Sequence, residues 1–154
     1  MKSRTKARSI ALQILYEVDL TGHLPEKALQ ERLIESPLDN ELDGFCRRII
    51  DGVLLNEEAL DNFIVQHAPE WPLDQVAVID RNILRIALWE FGVSNMTPVK
   101  VAINEAIELA KLYGADSTPR FVNGVIGSLA NRQQEIRNLF HPTSDESEIS
   151  PTQS

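Results

Sequence analysis

Four cations occupy alternate positions at the amino terminus, Lys2, Arg4, Lys6 and Arg8, with no acid among residues 1–8. Such a run makes and breaks no bonds. It can neutralise phosphates, giving an affinity that falls as salt rises. A second group is Arg120 beside Phe121, at the entrance of an apolar-periodic segment. The free amides of a helix N-terminus favour anions, and recognition of single-stranded RNA uses an aromatic on which a base can stack. The competing reading of Phe121 is core, because an aromatic at helical spacing usually faces inward. That of any single cation is an ordinary surface charge. The residues alone leave both open.

Other constellations are weaker. "GVIGSLAN" has two glycines but follows no strand, so it is no phosphate loop. His23, His67 and His141 are scattered without ligand spacing. Glu105 and Glu108 form a loose carboxylate pair flanked by Lys100 and Lys111, which reads as a solvated helix face. Cys46, the only cysteine, lies among Phe45, Ile49 and Ile50 and reads as a small buried hydrophobe. No enzyme, metal or cofactor is expected.

The elements that must position these groups repeat at 3.6 residues almost throughout. Ala7, Ile10, Ala11, Ile14, Leu15 and Val18 form one stripe. Pro25 opens a short helix that Pro37 ends. A long helix is expected from about Asp39 to Gln66, loosened at Gly52 and Asn56. Pro69 and Pro72 bracket Trp71 in a turn. "VIDRNILRIALWEF" carries apolar residues on most sides and reads as a central helix capped by Gly92. Thr97 and Pro98 suit the cap and first position of the next helix, which Gly114 ends. Ser117 or Thr118 caps the last. There Gly124, Gly127 and Ser128 are small residues that would let another helix approach closely. The expected fold is all-α, a single domain of six or seven helices over residues 1–141.

Charge is distributed unevenly. The net charge of -8 argues against nucleic acid, yet the basic tip sits on an acidic body. Residues 25–61 hold ten acids against four bases, and residues 142–154 hold three acids and no base. That last segment lacks apolar periodicity and is expected to be a disordered acidic tail. There is no run long and apolar enough for a membrane span, and Glu17 and Asp19 interrupt any leader-like core. A cytoplasmic protein is expected.

Larger blocks resemble a known family. "KVAINEAIELAKLYGADSTPRFVNGVIG" closely resembles the signature of the NusB family of bacterial transcription antitermination factors. "ARSIALQILYEVDL" resembles that family's first helix and "IDRNILRIALWEF" its central one. The resemblance implies two stacked helical bundles. It implies binding to boxA, a single-stranded element of ribosomal RNA leader transcripts, together with NusE, a small-subunit ribosomal protein, in the RNA polymerase antitermination complex. Homodimers also occur in the family. Residue by residue, it implies RNA contact for Lys2, Arg4, Lys6, Arg8, Arg120, Phe121 and Asn123. It implies a partner-facing side at Tyr16, Asp80, Arg85 and Glu90, and at Ser117, near where some members carry an acid. Two other readings remain: an accessory RNA-recognition domain like those of some ribosomal-RNA cytosine methyltransferases, which needs a following α/β domain, and a purely structural helical dimer.

Overall fold

A computed structural model describes residues 2–67 and 75–141. Eight α-helices are present among them: α1 (Ser3–Thr21), α2 (Pro25–Glu35), α3 (Asn40–Leu55), α4 (Glu57–His67), α5 (Val78–Leu88), α6 (Val99–Tyr113), α7 (Thr118–Ala130) and α8 (Gln133–Phe140). A π turn, Trp89–Val93, extends α5. The described residues contain no strand. The expected turn around Trp71 and the expected tail lie outside the described residues.

α1 packs with α2 and α3, while α5, α6 and α7 pack on one another with α4 alongside, and α1 joins the two groups through α5. Their apolar stripes meet in one core that includes Leu12, Leu15, Ile49, Ile83, Leu88, Phe91, Leu109 and Ile126. α5 is buried almost all round, from Asn82 through Leu88, as its wide apolar face requires. Cys46 is buried, and burial, with Asp43 nearby, pushes its thiol up to about 12.

Four local expectations are corrected. The long third helix is two: Asn56 interrupts it and turns its own side-chain amide to the Gly52 carbonyl. This is the local competition with backbone hydrogen bonding that asparagine offers. Gly92 caps nothing. It lies inside the π turn, whose i−5 bond runs from the Ser94 amide to the Trp89 carbonyl, and it admits the Ile136 side chain of α8. Thr97 does not cap α6. Its hydroxyl donates to the Glu90 carboxylate at 2.9 Å, and Pro98 takes the cap position without a side-chain bond. The fourth concerns Gly124 and Gly127. A Cβ built on either meets nothing within 4 Å, so no helix approaches closely there. Close approach occurs instead at Gly52, where a Cβ would collide with the Trp89 indole.

Candidate nucleic-acid interface

α1 begins at Ser3, so the basic run is helical rather than a free arm. Its Ncap, Lys2, supplies no side-chain hydrogen bond, and the first turn holds no acid. The orphan amides therefore point outward among cations, an arrangement that costs helix stability and favours an anion. Lys2, Arg4 and Lys6 are exposed, and none is in an ion pair among the described residues. Arg4 lies over the Phe45 ring, 4.8 Å from its centroid, and Lys6 reaches the Pro37 carbonyl at 3.4 Å.

Arg8 does not belong to this surface. It is 2% exposed, and its Nε and Nη2 donate to the Glu90 carboxylate at 2.9 and 2.7 Å. A desolvated guanidinium requires such a partner. Glu105 stands 3.6 Å from the same guanidinium and accepts the Thr5 hydroxyl at 2.8 Å, so it is no solvated-face residue either.

The second group sits at the other end of α5. The Thr118 hydroxyl donates to the Asp80 carboxylate at 3.0 Å, fixing the start of α7 against the start of α5. Burial holds the Asp80 carboxyl above the usual carboxylate range, against the lowering effect of that bond. Asp80, Ser117, Arg120, Phe121 and Gly124 line a cavity of about 590 Å³ with His67 and others. Phe121 is half-buried, with one part against the core and another on the cavity, so the core and stacking readings each describe part of the ring. Arg120, Asn123 and Ser117 are exposed, and Asn123 is not among the cavity-lining residues. From Asp80 to Glu90 is ten residues, an axial rise of about 15 Å.

The expected partner-facing residues divide. Tyr16 is exposed and lines a second cavity of about 730 Å³ with Leu20, Ile79 and Tyr113. The two cavities share Ala77. Arg85 and Glu90 face no partner, because both are buried. Arg85 donates to both Asp61 oxygens at 2.7 and 2.8 Å and to Asp19 at 3.0 Å, with Glu57 at 3.0 Å. It ties α1, α4 and α5 together. Leu20 and Tyr113, which carry no expectation from the sequence, line the same cavity as Tyr16. Leu20 stands one turn after Tyr16 on α1, an i, i+4 pair off the apolar stripe that was visible in the sequence. Tyr113 had no local signal; only the tertiary bond from Gln13 to its hydroxyl, 3.1 Å, brings it there.

No metal-holding group of His, Cys, Asp and Glu occurs among the described residues, and no described helix is long and apolar enough to cross a membrane.

A profile of the NusB family matches residues 5–131. The transcription antitermination protein NusB of Dehalococcoides mccartyi strain CBDB1 is 46% identical over 136 residues, covering 88% of this chain and 95% of that one. The structure of T. maritima NusB superposes with a TM-score of 0.74 at 30% identity, covering 96% of this chain and 98% of the other. A chain from the crystal structure of antitermination factors NusB and NusE in complex with dsRNA superposes with a TM-score of 0.78 at 25% identity, covering 86% and 98%.

Proposed function

Because the chain belongs to the NusB family, we propose that it is a transcription antitermination factor that binds the single-stranded boxA element of ribosomal RNA leader transcripts together with NusE. On this reading it does no chemistry of its own. It is an adaptor in the RNA polymerase antitermination complex, holding RNA on one surface and a protein on another.

One observation carries the RNA half: three exposed cations gathered at an uncapped helix end, on a chain of net charge -8. Phosphates bind at Lys2, Arg4 and Lys6 while a base stacks on Phe121, with Arg120 nearby. The Tyr16 face, with Leu20 and Tyr113, supports the protein half, and its contact with the other cavity at Ala77 supports mutual strengthening of the two ligands. The similar chain crystallised with NusE and RNA supports the same pairing.

The test is a titration of a short boxA-like single-stranded RNA across a salt series, with and without NusE. Salt-dependent, sequence-selective binding that tightens with NusE is expected. Absence of binding under both conditions would overturn the reading.

A further inference from the structure

We propose that Arg32 orients the protein partner on the Tyr16 face: the partner seats an apolar side chain against Tyr16, Leu20 and Ile79 and delivers one carboxylate to the Arg32 guanidinium. The assignment rests on the partner reading above.

Helical spacing builds this place. On α1, Gln13, Tyr16, Glu17, Leu20 and Thr21 recur every three or four residues, a second stripe beside the core-facing one, and all five line the cavity of about 730 Å³. On α2, Ala28 and Leu29 are buried, and α2 packs on α1. Arg32 follows those two residues by four and three positions, so it stands on the same face of α2. It is half-buried there and lines the cavity.

The cavity offers Arg32 no acid. Among the described residues its side chain makes no hydrogen bond or ion pair. Glu17, on the same wall, turns instead to the His23 ring, 2.9 Å away. The Tyr113 hydroxyl accepts from Gln13 at 3.1 Å, which leaves its own hydrogen to give. A partner that covers this cavity desolvates the guanidinium. Covering it without an anion strands a charge, and that carries a penalty. A carboxylate at that point removes the penalty and gains a forked hydrogen bond. The apolar seat and the cation thus select together. The rest of the wall is ring and aliphatic, which suits a protein side chain, and Glu17 repels a chain of phosphates more than a single carboxylate.

The test titrates NusE, across a salt series, into the native chain and into Arg32→Met, Arg32→Lys and Tyr16→Ala. Arg32→Met should weaken binding on the order of tenfold at low salt. The difference should shrink as salt rises. Arg32→Lys should recover part of the loss, because it keeps the charge without the fork. The melting temperature of Arg32→Met should stay unchanged, since no ion pair is lost. Native affinity in Arg32→Met, with binding lost in Tyr16→Ala, overturns the role of Arg32 and leaves the partner reading standing. A loss that is independent of salt marks a packing role and overturns it as well. Weaker binding of the boxA-like RNA to Arg32→Met without NusE assigns the guanidinium to phosphate and overturns the protein carboxylate. No NusE binding by the native chain overturns the partner reading and the role of Arg32 with it.

Discussion

Arg8 and Glu90 meet across 82 residues of sequence as a two-pronged ion pair, with side-chain exposures of 3% and 2%. The pair joins the start of α1 to the π turn, and Thr97 completes the carboxylate's shell. Removing one partner leaves an uncompensated buried charge. Glu90→Gln should therefore lower unfolding stability by about 3–5 kcal/mol in urea denaturation. A loss below about 1 kcal/mol would mean that Glu105 alone compensates the guanidinium.

The exposed cations should behave in the opposite way. Changing Lys2, Arg4 and Lys6 together to Ala should leave stability within about 1 kcal/mol. The Arg4 contact with Phe45 is lost, but repulsion at the helix N-terminus is relieved. The salt slope of RNA binding should fall by about 2, three phosphates at about 0.7 each on a single strand. Calorimetry and fluorescence titration separate the two effects. An unchanged slope would remove these residues from the interface.

Gly127 has open space where a Cβ would go. Gly127→Ala should raise stability by about 1 kcal/mol, the helix-propensity difference, read from the denaturation midpoint. A drop would reveal a hidden contact.

Gly124 has the same open space, but it lines the Phe121 cavity. Gly124→Leu should fold and bind RNA less well, because its side chain fills the space beside the ring. Phe121→Ala should weaken RNA binding by about 1–3 kcal/mol if a base stacks there. Equal RNA affinity in both variants would show that bases do not use the cavity.

Asp19 gives a pH signature. Burial alone would raise its carboxyl, but hydrogen bonds from Arg81 and Asn82 and the charges of Arg85 and Arg81 outweigh burial and hold it below the usual value. A depressed folded-state pKa contributes stability that is fully present above the unfolded value of about 3.9. It is lost as pH falls through the folded value. The stability difference between the native protein and Asp19→Asn should be constant near neutrality and shrink toward zero in acid. A difference independent of pH would mean that Asp19 acts through packing alone.

Helix positions were legible from periodicity because each helix shows the core an apolar stripe. The all-α class and the α6 and α7 blocks follow from that. The alternation of Lys2, Arg4, Lys6 and Arg8 looked uniform, but a helix turns by about 100° per residue. It sends Arg8 inward to an acid 82 residues away and leaves the other three outside. No local pattern announces such a partner. For Arg85 and Glu90 the resemblance implies a partner-facing side, and nothing local in the sequence announces the acids and bases on other helices that hold both of them inside. The glycines of α7 misled in the other direction. Small residues at helical spacing suggest a groove, and here they border a cavity.

The contacts of α1 also bear on the order in which the molecule is secured. Thr5 bonds Glu105 and Gln13 bonds Tyr113, each pair 100 residues apart. α1 precedes α6 in the chain and therefore waits for it before those bonds can close. Until then its apolar stripe can rest only on α2, α3 and α5. Closing such long loops costs entropy and slows folding relative to a bundle of neighbouring helices. During synthesis α1 is a helix made before α6 and locked after it, and of its cations Arg8 is buried only once Glu90 has arrived, while Arg4 and Lys6 stay exposed in the folded chain.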